Sequence, residues 1–178
     1  MRLRALKHLL DATRALAQPE RIIVLGSSSL LPEHPDLGEA GQPLEGSYDS
    51  DLLIAPMQEE LAAILGEAVG QGSLFARRHG YYADILRPSI AETLPAGWET
   101  RLRPAQGYSD VFTLDPYDLA LVKLILGRRK DLDLLRAMLR LGIIQPMPLR
   151  QHYQQVPLGE REAATAGRNL REVLKEIK

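Results

Sequence analysis

Hydrophobic residues recur along this chain with two periods, and the expected elements change where the period changes. Over residues 1–17, Leu3, Leu6, Leu10, Thr13 and Ala17 share one helical stripe, widened by Leu9 and Leu16, so an amphipathic helix is expected, ended by Gln18-Pro19. The run Ile22-Ile23-Val24-Leu25 does not alternate and predicts a short buried strand, after which Gly26 and three serines predict a turn into a helix N-terminus. Residues 31–46 are rich in Pro, Gly and Glu and predict a loop, either a lid or a solvent-facing insertion. In YDSDLLIA, a period of two puts Asp49 and Asp51 on one face and Tyr48, Ser50, Leu52 and Ile54 on the other. A helix is expected over residues 57–69 with Leu61, Ile64, Leu65 and Ala68 inward, and Gly70 and Gly72 break it.

Alternation returns in FARRHGYYADILR, where Tyr82, Asp84 and Leu86 oppose Tyr81, Ala83 and Ile85 as on a strand. GWETRLRP and DVFTL predict a further strand pair across the turn at residues 105–109, with Trp98 a packing residue. After Leu114 the pattern is helical. Asp115-Pro116 gives a cap and a first-turn proline for a helix over residues 117–126, and after Gly127 another helix or its continuation runs to residue 141. Leu121, Leu124, Ile125, Leu132, Leu135, Met138, Leu139 and Ile143 supply its core faces. Pro146 and Pro148 close this unit, and a last helix from residue 159 carries the stripe Leu170, Val173, Leu174 and Ile177, which packs on the domain or forms a homodimer. The expected fold is α+β with an α/β-like character: a mixed sheet flanked by helices over residues 1–114, and a helical region over residues 115–178 packed on it.

Composition narrows the function classes. With 178 residues, 45% hydrophobic and 25% charged, the chain can bury a sizeable core and is not disordered. A net charge of −1 gives no bulk attraction to nucleic acid or anionic lipid, so any RNA contact requires a local patch. The chain has no cysteine, which excludes disulfides, thiolate metal sites and Cys nucleophiles. His8, His34, His79 and His152 are scattered without metal-ligand spacing, which argues against a zinc hydrolase. No stretch approaches the roughly 18 apolar residues of a membrane span, so a soluble cytoplasmic protein is expected.

The candidate chemistry lies where acids interrupt apolar strands. Two carboxylates side by side on a strand repel unless a cation or proton neutralises them, and an oxygen-only donor set suits Mg²⁺ or Mn²⁺. The turn at Gly26-Ser27, with exposed N–H groups, suits a phosphate. Asp84 either joins the acids or pairs with Arg77, Arg78 or Arg87. Lys123 is the one charged residue between Leu119 and Gly127, whereas Arg128, Arg129, Lys130, Asp131 and Asp133 read as a solvated turn.

The order Gly26-Ser27 then Asp49-x-Asp51 resembles the signature of the polymerase-beta-like nucleotidyltransferase superfamily, although residues 32–46 separate the halves more widely than the usual short helix. The resemblance implies that Gly26 and Ser27 hold a nucleoside triphosphate, that Asp49 and Asp51 bind catalytic Mg²⁺ or Mn²⁺, and that Asp84 completes the metal site. GYYAD, GWETRL and DLALVKLILGRRKDLD also resemble AbiEii-type nucleotidyltransferases, best known as toxins of bacterial toxin–antitoxin systems, and a small bacterial family of nucleotidyltransferase-like proteins. Five elements in order span roughly residues 21–141. Carried over by position, Lys123 contacts nucleotide phosphate, Arg128 is a second phosphate candidate and Asp131 is a helical acid supporting the site. The implied activity is nucleotidyl transfer from an NTP to RNA, protein or a small molecule, with a cognate toxin or antitoxin protein as partner. The rival is a non-catalytic protein of this fold acting as a binding or antitoxin-like partner. A DNA-binding helix pair at the C-terminus is the weaker third reading, because those helices mix acids with bases.

Overall fold

The structure is a computed structural model and describes residues 1–56 and 59–176. The chain divides into two compact units, one comprising Met1–Glu92 and Leu102–Leu114, the other Thr93–Arg101 and Asp115–Lys178.

The first unit is built on a five-stranded sheet: β1 (Arg21–Val24), β2 (Asp49–Ala55), β3 (Tyr82–Ile85), β4 (Arg103–Pro104) and β5 (Val111–Thr113), in the order β3-β2-β1-β5-β4. It is mixed, with β1 antiparallel to β2 and parallel to β5, and β2 parallel to β3. The central strand carries the contiguous β-branched run, and Ile22, Ile23 and Val24 are all fully buried, as a strand covered on both faces requires. Helix α1 (Leu3–Ala17) buries Leu6, Leu9, Leu10 and Thr13, whose hydroxyl donates to the Leu9 carbonyl at 2.8 Å. Leu16 leaves the expected stripe and is exposed. Helix α2 (Glu59–Val69) buries Leu65 and Val69, while Ile64 faces solvent; Met57, the expected first residue, lies outside the described residues. Helix α3 (Leu74–His79) is capped by the Ser73 hydroxyl and ends at Gly80 in the left-handed conformation (φ 77°).

The Pro/Gly-rich segment after β1 is an ordered loop. Leu31, Leu37 and Leu44 are buried, the Leu44 N–H donates to the Leu37 carbonyl at 2.9 Å, and a Cβ on Gly38 would collide with the Met1 backbone. The strand expected through GWETRLRP is shorter than its pattern: Trp98–Arg101 forms a 3-10 turn, and only Arg103–Pro104 pairs with β5.

The second unit is helical: α4 (Pro116–Leu126), α5 (Arg129–Arg140), α6 (Pro146–Gln155) and α7 (Glu160–Lys175). The Asp115 carboxylate accepts the Tyr117 N–H at 2.8 Å, and Pro116 occupies the first turn, so α4 starts as its cap predicts. Helix α4 buries residues all round, which places it at the centre of this unit. Gly127 (φ 62°) ends it, with no space for a Cβ beside the Asn169 amide, which donates to the Leu124 carbonyl at 2.8 Å. Pro146 begins α6 as an N-terminal proline. Leu170 and Val173 of α7 are buried, and Ile177 lies outside the described residues.

Candidate active site

Register brings the three candidate acids onto one face of the first unit's sheet. In the parallel β2–β3 pair, Asp49 stands opposite Tyr82 and Asp51 opposite Asp84, so Asp49, Asp51, Asp84 and Tyr82 share a face. Ser50, between the two acids of β2, points the other way and is fully buried. Asp49 and Asp51 are half-buried and Asp84 is exposed. Burial raises the Tyr82 hydroxyl pKa, and the charges of Asp49, Asp84 and Asp51 raise it further, so one phenol feels all three carboxylates. Asp84 makes no ion pair among the described residues, with Arg77, Arg78, Arg87 or any other cation. The Ser47 hydroxyl donates to Asp49 Oδ1 over a long 3.5 Å.

Gly26 meets this row at Asp51. The Leu25 N–H donates to the Asp51 carbonyl at 3.0 Å, continuing the β1–β2 ladder, and the Asp51 carboxylate lies so close to Gly26 Cα that any Cβ there would overlap it. The backbone at Gly26 (φ −79°) is one any residue adopts, so what a side chain there would disturb is the position of the Asp51 carboxylate. Ser27–Leu30 form a single 3-10 turn, in place of the expected helix N-terminus. The Ser28 hydroxyl bonds that of Ser50 at 2.8 Å, which ties the turn to β2 while Ser27 stays partly accessible. Four residues of 3-10 helix carry little dipole, so an anion at Gly26-Ser27 would rely on N–H groups and the Ser27 hydroxyl.

The donor set consists of hard carboxylate oxygens. Among the described residues, no group of three or more His, Cys, Asp or Glu side chains is closed around one cation-sized position. The acids are aligned in register and not yet gathered on a point.

The other candidates form a cluster of their own in the second unit. Asp131 is buried, with Lys123 Nζ 3.2 Å from Oδ1 and Arg128 Nε 2.6 Å from Oδ2. Burial pushes the Asp131 pKa up, but hydrogen bonding from Arg128 and the Lys123 charge outweigh it, and the carboxyl is held below its ordinary value. Lys123, singled out by its apolar neighbours, is itself buried and has its counter-charge eight positions along the chain, past the Gly127 break.

The pattern also passed over two groups, the Asp118 clamp and a ring cluster. Asp118 is completely buried and clamped by Arg101, through Nε and Nη2 at 2.8 Å each, and by His152 Nε2 at 2.8 Å. Its pKa is lowered because these partners overcome burial. Only an acid in the first turn of an apolar helix hinted at it, and that signal belongs equally to a cap. Tyr82 was legible from its alternation with Asp84. The rings of His8, Phe75, His79 and Tyr81 form one cluster, with centroids 4.7–6.1 Å apart, that no linear pattern shows.

Among the described residues, no helix is long and apolar enough to cross a membrane. Neither a curated protein nor a solved structure matches the chain. A family model described as a nucleotidyltransferase of unknown function, DUF6036, matches residues 1–155, which take in the whole sheet-bearing unit and the helical unit through the end of α6. With most of its length covered, this chain belongs to the DUF6036 nucleotidyltransferase family.

Proposed function

We propose that the chain transfers a nucleotidyl group from an NTP to an acceptor hydroxyl, dependent on Mg²⁺ or Mn²⁺. The observation that carries this reading is the in-register row of Asp49, Asp51 and Asp84, with Gly26 held open against Asp51, in a member of a nucleotidyltransferase family. Asp49 and Asp51 would hold the ion, which when bound neutralises charge on the transferred phosphoryl group and the departing pyrophosphate. Asp84, the accessible acid of the row, takes the proton from the acceptor hydroxyl as its oxygen bonds to the α-phosphorus. The bond from α-phosphorus to the bridging oxygen breaks, and pyrophosphate leaves with that electron pair. Gly26 and Ser27 offer backbone N–H groups and one hydroxyl to the triphosphate. Lys123 and Arg128 stand in the second unit, where any phosphate contact of theirs must compete with Asp131. As a toxin–antitoxin component the enzyme would be the toxin.

A second reading is a non-catalytic protein of the same family acting as a binding or antitoxin-like partner. The observation favouring it is that the acids do not close around a single position. Label from α-labelled NTPs, offered with RNA, protein extract and small hydroxyl acceptors in Mg²⁺ and in Mn²⁺, distinguishes the two. Transfer by the wild type supports the enzyme, and no transfer together with no calorimetric NTP binding supports the partner.

A further inference from the structure

The turn after β1 touches β2 from both faces. Gly26 abuts the Asp51 carboxylate on the acid face, while the Ser28 hydroxyl bonds that of Ser50 at 2.8 Å, and Ser50 leaves the strand on the opposite face. Ser28 and Ser50 are 2% and 0% exposed. Leu52 and Ile54, which share the Ser50 face, are fully buried as well, so packing alone would put an apolar residue at position 50. A buried hydroxyl without a partner costs stability, and here each of the two supplies the other's partner. The three serines of the turn have three fates: Ser27 is partly accessible, Ser28 is paired, and Ser29 is 4% exposed with its hydroxyl unpartnered.

What the serine pair fixes is a separation. The Leu25 N–H continues the β1–β2 ladder to the Asp51 carbonyl at 3.0 Å, and beyond it the chain turns on itself, with the Ser29 N–H donating to the Gly26 carbonyl at 2.9 Å and the Leu31 N–H to the Ser28 carbonyl at 3.1 Å. The bond from Ser28 to Ser50 then ties this turn back to the strand between its two acids. Under the nucleotidyltransferase reading, on which this inference rests, the N–H groups of Gly26-Ser27 meet the triphosphate and Asp51 meets the ion that the same triphosphate binds. Two groups that act on one ligand work together only at a set separation, and a misplacement of about 1 Å costs on the order of 10²-fold in rate. Asp84 stands opposite Asp51, at this same end of the row. The pair therefore sits behind the point where turn, ion and base come together in that reading.

We propose that Ser28 and Ser50 are positioning residues whose hydrogen bond sets the Gly26-Ser27 turn against Asp51, so that ion and triphosphate bind as one unit. The test is calorimetry of the full chain with Mn²⁺, with an α,β-methylene NTP that cannot be cleaved at the α-phosphate, and with both together, corrected for Mn²⁺ bound to free nucleotide. In the wild type each ligand should tighten the other about tenfold or more. Ser28→Ala and Ser50→Ala should each bind either ligand alone nearly as the wild type does, cut that coupling to about threefold or less, and lower kcat/KM about 10–100-fold. Each single variant leaves one buried hydroxyl unpaired and should melt lower than the wild type. Ser28→Ala/Ser50→Ala leaves neither and should regain most of that loss, while its coupling stays low. Ser29→Ala removes an unpartnered hydroxyl from the same turn and should keep the wild-type coupling. Coupling unchanged in Ser28→Ala and Ser50→Ala, coupling that returns with stability in the double variant, or an equal loss in Ser29→Ala overturns the proposal. A wild type that binds neither ligand sinks the nucleotidyltransferase reading and this inference with it, whereas a wild type that binds both, with variants that couple them as well, sinks only the positioning role.

Discussion

The carboxylates of the two units are handled in opposite ways. In the helical unit, Asp118 and Asp131 are each buried and each held by two basic side chains. In the sheet unit, Asp49 and Asp84 make no ion pair among the described residues, and burial, with the charges of the row they form with Asp51, raises the Tyr82 pKa. A buried acid without partners costs several kcal/mol, so Asp118 and Asp131 survive only through their cations. Half-exposed acids set side by side cost less but gain nothing from one another, and under the proposed function a cation offsets their repulsion. The comparison separates acids that hold the fold from acids to which the proposed function gives an ion and a substrate.

It breaks most sharply at Asp84. Asp84→Asn should lower nucleotidyl transfer by about 10²–10⁴, the range of general-base catalysis, while leaving the urea midpoint near wild type. Transfer rates near wild type for Asp84→Asn would remove it from the chemistry and leave a surface acid.

The converse holds in the helical unit. Arg101→Ala leaves the fully buried Asp118 with His152 alone and should cost about 3 kcal/mol in urea unfolding. Lys123→Ala should cost a similar amount, on the order of 2–3 kcal/mol, since Asp131 keeps only Arg128. If NTP binding by calorimetry falls in Lys123→Ala and returns only partly in Lys123→Arg, at matched stability, then Lys123 serves phosphate as well as Asp131. Unchanged NTP binding would confine it to the fold.

These pairs also set a pH dependence. The carboxyls of Asp118 and Asp131 lie below their ordinary 3.8 in the folded chain. A depressed acid contributes stability that is complete above its unfolded pKa and lost as pH falls through the folded one. Unfolding midpoints should therefore hold from neutral pH to about 4 and then fall, and Asp118→Asn, already destabilised, should fall less steeply. A steep loss above pH 5 would point to groups other than these.

Much of this contrast was legible in the chain and some was not, for physical reasons. A continuous β-branched run and a period of two are local, so β1 and the shared face of Asp49 and Asp51 follow from spacing. The partner of an isolated charge is not local. Lys123 among apolar residues reads equally as a phosphate ligand or a buried pair, and only the chain reversal past Gly127 brings Asp131 to it. Arg101 and Asp118 lie 17 residues apart, and GWETRL gives a strand-like pattern because a 3-10 turn has no distinctive hydrophobic period. The same weakness hid the 3-10 turn after Gly26. Leu16 and Ile64 fell on expected inner faces and are exposed, since a stripe gives a helix's phase but not how far its neighbours reach.

The smallest expected effect tests the row without requiring catalysis. An ion that binds only the folded state stabilises it by mass action, about 1.4 kcal/mol at tenfold its dissociation constant, or roughly 3–6 °C for a chain of this size. Mg²⁺ or Mn²⁺ should raise the wild-type melting temperature by that order, and Asp49→Asn/Asp51→Asn should lose most of the rise. In metal-free buffer Asp49→Asn alone should melt no lower than the wild type, because removing one of the like charges relieves repulsion and breaks no ion pair of Asp49 among the described residues. Asp118→Asn should melt lower in the same buffer, since it removes the charge that Arg101 and His152 are arranged around. Equal metal shifts in wild type and double variant would remove the metal from this row. An Asp49→Asn variant that melts well below wild type without metal would show this acid holding the fold, and the contrast between the two units would be lost.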